Sequence, residues 1–529
     1  MKKSLLIVAM VTLLTVLSYV AATPPLAAKT LRWAFSGDVY SMDPHAHPST
    51  FTNAFHYHVY ESLVRYDQNL KIEAALATSW RIMEPAVWRF ALREGVKFHN
   101  GNPFNADDVV ASVKRVIHPN CPLKGNIPQV KDIRKVDDYT VDFVLNGPYP
   151  LLLNDLTNIL MMDKDWMTEH KCLDPVDPAK GETSYATTNA NGTGPFILES
   201  RQPDAKTVLV VNPNWWDKVQ HNLTRIVFTP IKSDATRVAA LLSGEIDFMH
   251  PAPLQDLDRI GRAPGLKLLE APELRIVFLA LNQGPAEPHE SNIKGKNPLK
   301  DVRVRKALYQ AIDIESIYSR LMRGKSRNTG NFVAPEIRGY DPALDPRFPY
   351  NPDAAKKLLA EAGYPDGFEI GLDCTNDRYV NDEKIGQAVA SMWARIGVKP
   401  KLMVQSSSVV MPKGMSGKSD IWMFGWATLP MMDAYSVLAQ ILSSPREKLG
   451  VFNPGGYKNP KVDELIDKIS VELDEPKRVK MISEAFKIAK EDVVLLPFHQ
   501  QPLSWAVRDN VKIIQTGDNM PRLWYARVD

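Results

Sequence analysis

Apolar positions along this chain repeat with two spacings, and segments of one spacing alternate with segments of the other. Over residues 301–312, Val304, Ala307, Leu308, Ala311 and Ile312 recur three and four apart, which predicts a helix with one buried stripe. A second helix is predicted from Asn351 as cap and Pro352 at the first helical position, stopping at Gly363 with Pro365 just beyond. Its stripe is Ala354, Ala355, Leu358, Leu359 and Ala362. Trp88, Phe90 and Leu92 alternate as a strand does. Asn105 then caps a helix carrying Val109, Val110, Val113, Val116 and Ile117. Asp107 and Asp108 lie in its first turn and Lys114 and Arg115 in its last, which complements the helix dipole. Further strands are predicted at 206–211, 276–283, 399–404 and 495–507, and a helix over 383–396 with Ile385, Val389, Met392, Trp393 and Ile396 on one face. Strands and helices alternate in both halves, so the fold class is α/β with mixed sheets.

A chain of 529 residues exceeds what one core supports and implies two or three domains. The formal charge of +3 gives no electrostatic reason to expect nucleic acid or an anionic membrane as partner. Forty prolines against 28 glycines point to fixed turns and rigid connections. The first residues read as a secretory signal: Lys2 and Lys3, an uncharged apolar run over 5–20, then small residues with cuts expected after Ala22 or Ala28. No cysteine precedes Cys121, so a lipid anchor at a mature N-terminal cysteine is not expected. Cys121 and Cys172 lie in polar loop contexts of one subdomain and, in an oxidising compartment, are a candidate disulfide; Cys374 is left over.

The stretch 301–370, the segment LREGVKFHNG with the helix after it, the Gly192-Thr193-Gly194-Pro195 turn and Gly425-Trp426 stand in the order found in family 5 of the extracellular solute-binding proteins of ABC transporters. The chain resembles that family over its whole length after the signal. The resemblance implies two lobes joined by two crossings, with an extra subdomain in the first lobe at about 76–190. The expected division is a signal over 1–28, a first lobe over 29–280, a second over 281–500 and a return to the first over 501–529. Hinge residues are expected at Leu281 and Asn282 and at Gln500 and Gln501.

The resemblance also implies where a ligand sits. Matching positions are His45 to Tyr57, the turn at Thr193 and Gly194, and Gly425 with Trp426. Glycine turns let a backbone approach a ligand, and tryptophan offers an apolar wall with one donor. Peptide-binding relatives carry an acidic residue shortly after Gly-Trp, which pairs with the ligand's ammonium. Here that position is Leu429 and the next carboxylate is Asp433, which serves either the ligand or the cap of the following helix. Arg378 matches loosely the arginine that holds a ligand carboxylate, a task suited to its fork of donors.

His45, His47, His56 and His58 raise a metal reading, but no cysteine or carboxylate pattern completes a site, and neither metal nor cofactor is expected. GMSGKS over 414–419 has too few residues between its glycines for a phosphate loop, and neither H-E-x-x-H nor G-x-S-x-G occurs. The expectation is a binding protein, not an enzyme: periplasmic, monomeric, free of lipid. It would take a short peptide or peptide-like solute to the permease of an ABC importer. An opine, an oligosaccharide, a nickel chelate, or a sensor or chaperone role on the same scaffold are the alternatives.

Overall fold

A computed structural model describes residues 29–529 except 48, 447, 448 and 454; the expected signal segment lies outside the described residues. Ten strands form one path of hydrogen-bonded neighbours, and an eleventh, Arg327–Asn328, joins from the side. The path runs Lys399–Gln405, Glu369–Thr375, Ile421–Ala427, Leu266–Leu281, Leu495–Arg508, Phe248–His250, Thr30–Phe35, Arg225–Pro230, Lys206–Val211, Phe196–Gln202. Parallel and antiparallel pairs both occur, as expected for mixed sheets.

The two central strands belong to both lobes. Leu266–Leu281 is 16 residues long and Leu495–Arg508 is 14. At roughly 3.3 Å per residue the longer one spans on the order of 50 Å. Their antiparallel ladder runs regularly from Leu266↔Arg508 to Pro272↔Pro502, slips, and resumes at Ile276↔Gln500. On one side of the slip the neighbour is the first-lobe strand Phe248–His250. On the other it is the second-lobe strand Ile421–Ala427. The crossing thus falls at 272–276 opposite Gln500 and Gln501. Leu281 and Asn282, expected at the crossing, lie instead at the strand's far end. There Leu281 pairs with Ile421, and Asn282 donates to the carbonyls of Gly417 and Ser419.

Each lobe has an apolar cluster of its own, and a further cluster runs from the first lobe's subdomain into the second lobe. In the second, Val304, Ala307, Leu308, Ala311 and Ile312 are all buried. They meet the helix Pro352–Glu361, whose cap Asn351 accepts from the Ala354 amide at 2.9 Å. Ala355 and Leu359 are buried there and Ala354 and Leu358 flank them. Trp393 on the helix Asp382–Ala394 donates to the Leu308 carbonyl at 2.9 Å, locking the third helix to the first. In the first lobe Trp33 packs among Phe55, Phe228 and Phe248. A separate four-stranded sheet, Ala77–Glu84, Val87–Leu92, Thr140–Leu145, Val130–Asp137, is covered by the helix Ala106–Ile117, which starts with a reciprocal Asn105–Asp108 capping box. Residues after 508 return to the first lobe, where the Val528 amide bonds Asn222.

Candidate functional site

The crossing opens into a cleft of about 500 Å³. Its walls are Phe35, Ser36 and residues 251–255 of the first lobe and residues 377–381 of the second, with Glu273, Arg275 and Gln501 at the base. The volume suits a ligand of small-molecule or short-peptide size.

Polar groups at the base are cross-linked. Gln501 donates to Glu273 Oε2 at 2.6 Å, and its own carbonyl accepts from the Val380 amide at 3.1 Å. Glu273 Oε1 lies 3.4 Å from Arg275 Nε, and Arg275 also reaches the Gly425 carbonyl at 3.4 Å. One glutamine therefore ties the first crossing strand to a loop of the second lobe.

That loop follows the strand Glu369–Thr375 and precedes the helix Asp382–Ala394. A single buried carboxylate fixes its shape. Asp382 accepts from Thr375 Oγ1 at 2.6 Å and from the amides of Arg378 and Tyr379 at 3.2 and 3.1 Å. Tyr379 Oη accepts from the Gly425 amide at 2.9 Å and from Arg378 Nε at 3.0 Å. Arg378 itself is exposed and lines the cleft. Tyr379 is its only side-chain bond among the described residues, and no carboxylate there neutralises it. A planar cation presented this way is ready to take a carboxylate on two parallel bonds.

Gly425 earlier promised a ligand-facing backbone. Its glycine character has another cause here: a Cβ would stand 2.7 Å from Tyr379 Cε1. Trp426 is half-buried, donates to Ser436 Oγ at 3.0 Å and packs edge-on against Phe452, so its one donor is spent inside the protein. The Gly-Thr-Gly turn is also internal. A Cβ on Gly192 would meet the Val59 carbonyl oxygen at 2.0 Å, and one on Gly194 the Val59 carbonyl carbon at 2.7 Å. Thr193 is buried and donates to Glu61 Oε2 at 2.8 Å. The Gly194 carbonyl accepts from His99 and Asn212. These glycines serve close chain packing.

Asp433 must be corrected. It is 0 % exposed and receives both guanidinium nitrogens of Arg478, at 2.7 and 2.8 Å. It also accepts from the Tyr435 amide at 2.9 Å. A carboxylate already paired in the interior does not serve a ligand ammonium in the cleft. His45 is likewise interior. Nε2 bonds the Leu160 carbonyl at 2.9 Å, and burial, aided by Arg115, lowers the ring's pKa to about 4. His56 and His58 are equally buried on backbone carbonyls, and His47 stacks on Tyr40. Tyr57 is half-buried and donates to the Thr157 carbonyl at 3.0 Å. The expected bridge between Cys121 and Cys172 is not formed. Both are free buried thiols packed into different apolar clusters, and Cys121 Sγ points to the His45 carbonyl at 3.5 Å.

Arg275, Glu273, Tyr379 and Asp382 escaped the sequence reading. Asp382, four residues after Arg378, carried the one usable signal, since a carboxylate at a helix start pins a preceding loop.

The lobes also meet away from the base. Tyr66 Oη donates to the Pro430 carbonyl at 2.9 Å, and Asn154 Nδ2 to the Met431 carbonyl at 2.8 Å. Two lobes, two crossing strands and a polar cleft between them define the architecture of a bacterial solute-binding protein. The family model described as bacterial extracellular solute-binding proteins, family 5, middle region, matches residues 71–448, and the chain belongs to that family. Heme-binding protein A of Haemophilus influenzae is 28 % identical over 473 residues, covering 85 % of this chain and 82 % of that one. The dipeptide-binding protein of Escherichia coli K12 is 27 % identical over 525 residues, covering 94 % of each. The solved structure of HbpA2 from Haemophilus parasuis superposes with a TM-score of 0.80 at 25 % identity, covering 94 % of this chain and all of that one. Among the described residues no helix is long and apolar enough to cross a membrane.

Proposed function

We propose that the protein captures a short peptide or peptide-like solute bearing a carboxylate, closes its lobes over it and delivers it to the permease of an ABC importer. Arg378 is the carboxylate anchor, held in place by Tyr379 and the Asp382-pinned loop. The observation that carries this reading is an exposed guanidinium in the cleft with no carboxylate partner among the described residues. A dipeptide-binding relative aligned over nearly the whole chain supports the peptide class. The lobes rotate about residues 272–276 and Gln500–Gln501, where the ladder slips. Secretion to the periplasm with removal of the first 22 or 28 residues and a monomeric state complete the proposal.

The heme named for another relative would need an axial ligand such as histidine, cysteine, methionine or tyrosine. The cleft-lining residues include no histidine, cysteine or methionine, and the one tyrosine has its hydroxyl bonded twice. Melting the protein with dipeptides, an opine, an oligosaccharide, hemin and nickel–histidine separates the classes. A true ligand at a hundredfold its dissociation constant adds about 2.7 kcal/mol. Dipeptides are expected to raise the melting temperature; a shift with only an opine, an oligosaccharide, hemin or nickel–histidine would overturn the peptide reading.

A further inference from the structure

The segment after Trp426 is braced within the second lobe. The Met432 amide bonds the Thr428 carbonyl at 2.8 Å, which closes a turn, and Asp433 beyond it is fixed by Arg478. The Met432 carbonyl accepts from the Arg338 amide at 3.3 Å. Between these supports the carbonyls of Pro430 and Met431 are taken by the first lobe. Tyr66 Oη donates to Pro430 at 2.9 Å and Asn154 Nδ2 to Met431 at 2.8 Å. Asn154 Nδ2 also lies 3.1 Å from Tyr66 Oη, so the two donors steady each other.

These donors stand on regular elements. Tyr66 ends the strand Val64–Tyr66, and Asn154, 5 % exposed, sits on the short helix Leu152–Leu156. Leu152 and Leu156 of that helix share one apolar cluster with Met432 and Tyr435 of the second lobe, and Leu429 and Met431 pack against it. The groups joined by hydrogen bonds are neutral, and none of Tyr66, Asn154, Pro430 and Met431 lines the cleft. A contact between lobes that lies outside the ligand site acts on closure, not on ligand recognition.

We propose that residues 428–432 form a latch that holds the lobes together whatever the cleft contains, with Tyr66 and Asn154 as its catch. The inference rests on the lobe closure of the proposed function. It gives the segment after Trp426 a task other than taking a ligand ammonium, which Leu429 is unable to do. A ligand that requires closed lobes binds with an apparent dissociation constant raised by the inverse of the closed fraction. The latch therefore strengthens every such ligand by the same factor.

Asn154→Ala removes both bonds of that side chain, and Tyr66→Phe removes one hydroxyl while keeping the ring. Small-angle scattering of the ligand-free protein is expected to give a larger radius of gyration for the double variant than for wild type. A neutral hydrogen bond shifts an equilibrium by roughly fivefold. Calorimetric titration with Ala-Ala and with Leu-Leu is therefore expected to show both dipeptides weakened by one common factor, on the order of tenfold. Equal radii for the double variant and wild type, unchanged affinities, or a loss confined to one of the two dipeptides would overturn the latch. Should the double variant fail to fold, Tyr66→Phe alone decides by the same comparisons. Failure of every dipeptide to bind would sink the peptide reading and leave the scattering result to decide the latch.

Discussion

Arg378 and Asp433 look alike in sequence, each a charged residue near a helix start, yet the fold treats them in opposite ways. Arg378 stays exposed because its loop ends at Asp382, which spends its oxygens on that loop's own amides. Asp433 is drawn inward by Arg478, 45 residues further on in the helix Glu475–Glu491. A pairing at that separation has no local signature, so the sequence could not tell a cleft carboxylate from a buried one. Removing one partner of such a pair leaves a bare charge in the interior, which costs about 3–5 kcal/mol. Arg478→Met is therefore expected to lower unfolding free energy by about that much in urea, while ligand affinity of the folded fraction holds. A large affinity loss with unchanged stability would return Asp433 to the site. The histidines carry the same lesson. Their clustering over 45–58 is visible in sequence, but the backbone carbonyls they bond, such as Leu160 for His45, are set by the fold.

Among the elements, the paired helices of the second lobe were legible down to the cap at Asn351, because periodicity and capping are local properties. The crossing strand was only half legible. Expected over 276–283, it starts at Leu266, since Glu270, Pro272, Glu273 and Arg275 interrupt the apolar pattern. Those residues are polar for a reason: a strand that passes between lobes shows Glu273 and Arg275 to a cleft. The failure of the pattern thus marked the site. Two expectations follow for this neighbourhood. Gln501→Ala removes the bonds to Glu273 and Val380, so small-angle scattering of the ligand-free variant is expected to give a larger radius of gyration than wild type; equal radii would remove Gln501 from control of the hinge. Gly425→Ala pushes a methyl into Tyr379 and disturbs the hydroxyl that steadies Arg378. Calorimetric titration is expected to show severalfold weaker binding of a carboxylate ligand with the fold retained, and unchanged binding would detach Tyr379 from the anchor.

At the scale of the whole molecule, buried neutral histidines link stability to pH. Burial lowers His45, His56 and His58 to about 4, and His250 and His499 to about 3. In the unfolded chain these rings titrate near 6.5. Their folded pKa is depressed, so their contribution is complete above pH 6.5 and is lost as pH falls toward 4 and below, where unfolding takes up protons. Asp108, raised by burial to about 6, and Asp155 and Glu61, also raised by burial, oppose this in part. Urea unfolding between pH 6.5 and 4.5 is expected to show stability falling with acidity, with a net uptake of about two protons or more. A flat profile would mean the rings are not neutral and buried as described.

Arg378 is proposed to hold a ligand carboxylate in the cleft. Calorimetric titration of one bound dipeptide, as free acid and as C-terminal amide, into wild type and Arg378→Ala tests it most directly. Hydrogen bonds to a charged group are worth about 1.5–3 kcal/mol, so amidation is expected to weaken binding to wild type by about tenfold or more and to make little difference in the variant. An amidation penalty of the same size in both proteins would contradict the account.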